Sequence, residues 1–486
     1  MHHHHFLLIP YPAQGHINPS LQLAKRLINL GARVTLSTTL HMHRRMSDKP
    51  SISGLSFVPF SDGYDDGFTP SDDSKYDQYA SEYKRRGTEF VTDLINSAAE
   101  EGRQPFTCLI YSFLQNWVTE VARALHLPSA VLWPQPAVLL DIHYLYFHGY
   151  SDYVNEKITK EPSSCSLELP GLPPLQPSRD LPSFYLESDS SANFQNSFIL
   201  SLIEKQIRDL EQEGKAIVLA NTFEALEPDA LRAVDDKLDV MPIGPLIPSA
   251  FLDDDKDGGG GGDSSYGGNI FKRSDDYVEW LDSQAEKSVV YVSFGSFCVL
   301  AKKQMEEMAR ALLDSGHPFL WVIREKEKKK NKEEEEDGEL SCREELEARG
   351  KIVSWCSQVE VLLHESLGCF VTHCGWNSTM ESLACGVPMV AFPQWLDQNT
   401  NAKLIEDVWK TGVRVNRKEE EEGVVVEGGE IKRCLDLVMG SGEKAKEVRE
   451  NAEKWKRLAR EAAKEGGSSE KNLKTFLQHV RDLRPQ

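Results

Sequence analysis

Nowhere does the 486-residue chain approach the ~20 consecutive apolar residues that span a bilayer, so no membrane insertion is expected. Positive charge is also in deficit. The 55 Lys and Arg stand against 76 Asp and Glu, a formal net charge of −21. Nucleic acid and anionic membranes both reward a basic surface, so neither is an expected partner. No C-x-x-C pair occurs among nine scattered cysteines, which predicts reduced thiols and a cytoplasmic protein rather than a disulfide framework. Cys369 and Cys374 flank His373, but no second pair stands at ligand spacing, so no metal is expected. The apolar run at 6–10 is too short for the core of a signal peptide, and the histidine run at 2–5 is set aside from functional argument. Finally, no G-x-G-x-x-G follows the first apolar run, which removes support for a nicotinamide-dependent oxidoreductase.

What the chain does contain is alternation. Apolar runs at 6–9, 33–37, 55–59, 107–111, 130–133 and 216–220 are nearly continuous, as strands buried on both faces require. Amphipathic helices fall between them. One is expected over 19–30, with Pro19 at its first position and Leu21, Leu23, Ala24, Leu27, Ile28 and Leu30 on one stripe. Residues 253–268, DDDKDGGGGGDSSYGG, cannot bury a core and read as a flexible link. Strand runs then resume at 289–294, 319–323, 352–354, 369–372 and 389–392. The mixed-charge run 325–337 reads as a solvated loop, and 443–483 is helical in pattern. Alternating β and α predicts an α/β chain of parallel, doubly wound sheets. Two Rossmann-like domains are expected, at 1–252 and 269–465, with a helix in 466–486 packing back on the first. Such sheets bind ligands at the carboxyl ends of their strands, so a cleft between two of them can hold a donor and an acceptor.

Most of the chemistry lies between Trp355 and Gln398. A strand ends at His373, and Cys374-Gly375-Trp376-Asn377-Ser378 leads into a helix expected from about 379 to 385. A strand feeding a small-residue turn and a helix aims backbone N–H groups, and the positive end of the helix dipole, at any anion above the turn. His373, Asn377 and Ser378 add donors. Hydrogen bonds to charged oxygens are worth about 1.5–3 kcal/mol each, so a few hold a diphosphate without metal. Glu381, one turn into the helix, suits a ribose diol, Trp355 offers a flat face to a base, and Asp397 with Gln398 suits sugar hydroxyls.

This 44-position segment closely resembles the signature box of plant family 1 glycosyltransferases, which use UDP-sugars. PYPAQGHINP at 10–19 and YVSFGS at 291–296 extend the resemblance over nearly the whole chain. It implies a GT-B fold, two Rossmann-like doubly wound sheets facing a cleft. It also implies that Trp355 stacks on uracil, with the Cys356 backbone and Gln358 nearby, and that Glu381 holds the ribose. His373, Asn377, Ser378 and Ser296 would take the diphosphate, and Trp376, Asp397 and Gln398 would face the sugar. Gln398 favours glucose. UDP-glucose is then a substrate, no cofactor is implied, and a monomer is expected.

His16 falls between the first strand and the expected helix, and on its own it reads as a capping or exposed histidine. The resemblance makes it the general base of a single inverting displacement. Many members follow Cys-Leu-Ile-Tyr with an Asp that orients this histidine, whereas here Ser112 stands there. A hydroxyl orients an imidazole but does not stabilise imidazolium as a carboxylate does. That points to an acceptor that ionises readily, a carboxylic acid or an acidic phenol. Residues 133–150 also resemble a subgroup that includes flavonoid or anthocyanin 5-O-glucosyltransferases and enzymes forming glucose esters. Trp133, Tyr144, Tyr146, Phe147, Phe184 and Tyr185 are candidates for an apolar acceptor wall or for plain core. The alternative to an enzyme is a non-catalytic UDP-sugar-binding protein.

Overall fold

The computed structural model describes residues 4–46, 49–68, 73–100, 104–160, 165–186, 194–212, 216–234, 237–252, 276–324, 340–420 and 423–483. The expected link at 253–268 and the charged run at 325–337 lie outside the described residues.

The first sheet contains β1 (His5–Ile9), β2 (Arg33–Leu36), β3 (Leu55–Phe57), β4 (Cys108–Ser112), β5 (Ser129–Trp133), β6 (Ile217–Ala220) and β7 (Asp239–Pro242). Its order is β3-β2-β1-β4-β5-β6-β7, and every pairing is parallel. The second contains β8 (Val289–Ser293), β9 (Phe319–Val322), β10 (Lys351–Val353), β11 (Leu367–Thr372), β12 (Met389–Ala391) and β13 (Gly412–Arg414). Its order is β10-β9-β8-β11-β12-β13, again wholly parallel. Each sheet therefore reverses its strand order once, between β1 and β4 and between β8 and β11. Those two points are where doubly wound sheets open a crevice.

The central strands are buried on both faces, and alternate residues enter different cores. Leu7 and Ile9 point into one cluster, Phe6 and Leu8 into another. Val289 and Tyr291 share the first of these with Leu7, while Val290 and Val292 enter a third. One apolar core thus runs without interruption from the first sheet to the second. His5, in the histidine run set aside above, opens β1. Its ring bonds Thr35 Oγ1 at 2.9 Å and the Gln104 carbonyl at 3.0 Å. β7 and β13 escape sequence pattern because neither writes an apolar run: DVMP opens on an acid and closes on a proline, and GVR holds one valine between a glycine and an arginine.

Polar contacts fix how the sheets face each other. Arg414, at the end of β13, pairs with buried Asp180 of the first half at 3.0 Å and bonds Asn399 Oδ1 at 3.0 Å. The Trp409 indole donates to the Leu226 carbonyl at 3.1 Å, and Thr400 donates to the Asp180 carbonyl at 2.7 Å. The carboxyl-terminal stretch is two helices, Glu443–Ala463 and Ser468–Asp482. They are broken at Gly466, in the left-handed region at φ 72°, and at Gly467, where a Cβ would lie 2.4 Å from the Ala462 carbonyl oxygen. The second helix sinks Leu473, Phe476 and Val480 into the core of the first sheet beside Phe6 and Leu8. Phe476 is fully buried there and stacks on Phe6 at 5.7 Å. Phe476→Ala is expected to lower unfolding free energy by about 3–5 kcal/mol, read from urea denaturation.

Candidate active site

The two reversal points carry the site. On the first sheet, β1 leads directly into a helix, Gln14–Asn29. The helix does not begin at Pro19 as expected. Ala13 is its extended N-cap, the Ile17 N–H bonds the Ala13 carbonyl at 2.9 Å, and Pro19 lies inside. His16 therefore sits in the first helical turn and not in a loop. Its ring lies between Tyr11 and Phe113, at centroid distances of 5.3 and 5.5 Å. Ser112 ends β4 on the other side of the reversal point, fully buried, with Oγ 2.5 Å from His16 Nδ1. This contact fixes the ring and leaves Nε2 for chemistry. Loss of hydration lowers the His16 pKa to about 4, so the imidazole is neutral at pH 7.

From His16 a row of rings leads inward. Phe113 meets Trp133 at 4.7 Å, Trp133 meets His143 at 6.0 Å, and His143 contacts Phe184 and Tyr185. His143 is buried and its Nδ1 lies 2.7 Å from Tyr185 Oη. Trp133, Tyr144, Phe184 and Tyr185 are buried core side chains, whereas Tyr146 and Phe147 are half-buried against that core.

On the second sheet, β11 ends at Thr372. His373 and Cys374 make the turn, Cys374 in the left-handed region at φ 65°. Gly375 caps the helix Trp376–Cys385, which starts earlier than expected. A Cβ on Gly375 would lie 2.4 Å from His373 Nε2, and one on Gly295, after β8, would lie 2.7 Å from His373 Cε1. The two glycines thus let the imidazole lie between the turns after β8 and β11. Burial lowers its pKa to about 4. Ser296 is half-buried in the turn after β8, and its carbonyl accepts from Arg324, which also bonds the Cys298 carbonyl at 2.6 Å. Arg324 escaped sequence reasoning. It ends the β9 segment beside a charged run, and only the tertiary fold carries it to this turn.

Gln358, Ser378 and Glu381 meet as one cluster. Gln358 Nε2 donates to Ser378 Oγ at 2.8 Å and to Glu381 Oε2 at 2.6 Å, while Tyr291 donates to Gln358 Oε1 at 3.3 Å. Cys356 is buried with Sγ 3.5 Å from Tyr291 Oη, and Trp355 is half-buried next to it. Buried Asp397 accepts from Asn401 at 2.8 Å, and burial raises its pKa to about 6. Gln398 Oε1 accepts from the backbone of Gln394 and Trp395, so it shapes the turn after β12. The Trp376 indole is buried and donates to the Asn221 carbonyl, after β6 of the first sheet, at 2.8 Å. What Trp376 offers a ligand is its backbone N–H at the helix start. Asn377 reaches across, its Nδ2 donating to the Gly15 carbonyl at 3.0 Å. Among the described residues no group of three His, Cys, Asp or Glu is placed to hold a metal ion. No described helix is long and apolar enough to cross a membrane.

Two wholly parallel, doubly wound sheets whose reversal points are joined by the Asn377–Gly15 bond have the arrangement of a GT-B glycosyltransferase. Residues 271–424 match the family model described as UDP-glucoronosyl and UDP-glucosyl transferase. The chain is 56% identical over 490 residues to phloretin 4'-O-glucosyltransferase of Malus domestica, covering 99% of this chain and 98% of that protein. It is 52% identical to anthocyanidin 3-O-glucoside 5-O-glucosyltransferase of Verbena hybrida, covering 98% of each. The crystal structure of Os79 from O. sativa in complex with UDP superposes with a TM-score of 0.80 at 32% identity, covering 98% of this chain and 100% of that one. The protein belongs to the plant UDP-glycosyltransferase family and is an enzyme of that class.

The neutral histidines make stability pH-dependent. Burial lowers the pKa of His16 and His373 to about 4 and of His143 to about 3, below the ordinary 6.5. Between those values and 6.5 the unfolded chain binds more protons than the native one, so stability rises with pH there and is lost as pH falls. Buried Asp397, raised to about 6, and Asp141 and Glu227, also raised, act in the opposite sense. The test is therefore a difference: the thermal midpoint of His143→Gln is expected to fall less than that of the unmodified protein as pH is lowered from about 6.5 towards 4, measured by differential scanning fluorimetry.

Proposed function

We propose that the protein transfers glucose from UDP-glucose, without a metal, to a hydroxyl or carboxylate of a small apolar plant metabolite such as a flavonoid, another phenolic or a carboxylic acid. The observation that carries this reading is the Ser112-held imidazole of His16 in the same helical turn whose Gly15 carbonyl is bonded by Asn377 of the donor loop. A base and an anion-binding helix start are thereby one side chain apart.

In the proposed step the acceptor oxygen attacks the anomeric carbon, its proton passes to His16 Nε2, and the bond from that carbon to the UDP oxygen breaks. One displacement inverts the centre. The leaving diphosphate gains negative charge against the start of the helix Trp376–Cys385, where N–H groups and the dipole stabilise it. Ser296, His373, Asn377 and Ser378 are assigned to the diphosphate. Trp355, the Cys356 backbone, Gln358 and Glu381 are assigned to the uridine, which requires the ligand to replace part of the Gln358–Glu381 bonding. Asp397, Gln398 and the Trp376 N–H are assigned to the sugar. Free thiols at all nine cysteines fit a reducing, cytoplasmic setting.

The acceptor class follows from the base. An imidazole lowered to about 4, with a hydroxyl behind it, is weak. Proton transfer is efficient when the two pKa values are close, so an acidic phenol suits this site better than an alcohol, while an ionised carboxylate attacks with no proton to give up. The phenolic acceptors named for the Malus and Verbena relatives agree.

The tests use UDP-glucose with a panel of phenols, carboxylic acids and alcohols, and mass detection of the product. His16→Ala is expected to lower turnover of phenols by about 10²–10⁴-fold while UDP still binds in calorimetry. The acid limb of kcat/KM should inflect near pH 4 and move upward in Ser112→Asp, which should speed alcohols more than carboxylates. Equal acceleration of both acceptor classes would remove the acceptor argument. UDP-glucose binding with no transfer to any acceptor would leave the sugar-nucleotide sensor instead.

A further inference from the structure

The polypeptide has a proline where a helix ordinarily has a donor. Pro19 lies inside the helix Gln14–Asn29, and the carbonyl four residues before it is that of Gly15. In a regular helix that carbonyl accepts from the nitrogen of residue 19. Proline has no hydrogen to give, and its ring crowds the same carbonyl outward. The Gly15 oxygen does find a donor, and that donor belongs to the other half of the molecule. Asn377 Nδ2, at the second position of the donor-loop helix, lies 3.0 Å away. Residue 15 is a glycine with no atom within 4 Å of a Cβ position, so nothing on it obstructs this approach.

We propose that Pro19 is a positioning residue: by withholding the helical hydrogen bond from Gly15, it keeps that carbonyl free to register the donor loop, through Asn377, against the turn that carries His16. This rests on the preceding reading of the cleft as a UDP-glucose transfer site. The chemistry of the amide supports it. Nδ2 carries two hydrogens. With one on Gly15, the second is available to a phosphoryl oxygen above the helix start, so one nitrogen ties the base-bearing helix to the leaving group. His16 stands one residue beyond Gly15, so an error in this contact displaces the imidazole directly. The bond lies in an open cleft and adds little to stability. Its consequence is geometric.

Pro19→Ala restores the missing N–H and favours the helix, so a folding defect is not its expected effect. The experiment measures kcat, KM for UDP-glucose, the acid limb of the pH–rate profile and the thermal midpoint for four proteins: unmodified, Pro19→Ala, Asn377→Ala and the double variant. Pro19→Ala should lower kcat by roughly 10- to 100-fold, as expected for an ångström-scale misplacement, with the thermal midpoint undiminished and the inflection near pH 4 unmoved. Asn377→Ala should lower kcat at least as much, since it also removes a diphosphate donor, and Pro19→Ala should have little further effect on kcat in the Asn377→Ala background. An unchanged kcat in Pro19→Ala, or losses that multiply in the double variant, would overturn the inference while leaving the preceding reading intact. A kcat loss accompanied by a lowered thermal midpoint would also overturn it, since Pro19 would then be structural. No transfer by the unmodified protein would overturn both.

Discussion

The site depends on two crevices being held open towards each other, and a buried ion pair does much of that holding. Arg414 and Asp180 are almost fully shielded from water, and each comes from a different half of the chain. Burying two charges costs several kcal/mol per ion, and mutual attraction offsets it only when further hydrogen bonds use the remaining donors and acceptors. They do here. Arg414 also bonds Asn399 and the Arg179 carbonyl, and Asp180 accepts from the backbone N–H of Gln176. The pair thereby specifies one relative placement of segment 176–186 and the turn after β12. The apolar core shared by both sheets supplies the adhesion, and the polar set supplies the register.

Within this frame the two histidines of the cleft are alike in charge and different in use. His16 and His373 both lose hydration and stay neutral at physiological pH. His373 lies between two glycines, where any larger residue would collide with its ring. His16 is tethered at Nδ1 alone, with aromatic rings on either side. The first is a packed part of a turn, and the second presents a nitrogen. Under the proposed reading the diphosphate is held by the helix start together with His373, Asn377 and Ser378, so the site needs no positive field and is compatible with a net charge of −21.

Much of this was legible from residue order. Strands buried on both faces write continuous apolar runs, so eleven of the thirteen strands described in the two parallel sheets were visible, and the order of β and α foretold two wound sheets. The edge strands β7 and β13 were not visible, since DVMP and GVR interrupt their few apolar residues with an acid, a proline, a glycine or an arginine. The turn at 373–378 was legible because strand, small residues and helix follow one another in sequence. The start of the first long helix was misjudged. Proline is common at a helix start, and that local rule outweighed the capping geometry at Ala13. The partners of Arg324 and Asn401 and the reach of Trp376 to Asn221 depend on neighbours distant in sequence, and no local pattern announces them. His5 was set aside as part of a histidine run, yet its ring bridges β2 and the segment before β4.

The helix Ser468–Asp482 has a mechanical consequence. It packs in the first core although the chain reaches it from the helix Glu443–Ala463, which packs on the helix Trp376–Cys385 of the second half. The backbone therefore returns to the first half at 464–467. Parting the halves requires either stretching that four-residue tie, with its left-handed Gly466, or drawing Leu473, Phe476 and Val480 out of the core they share with Phe6.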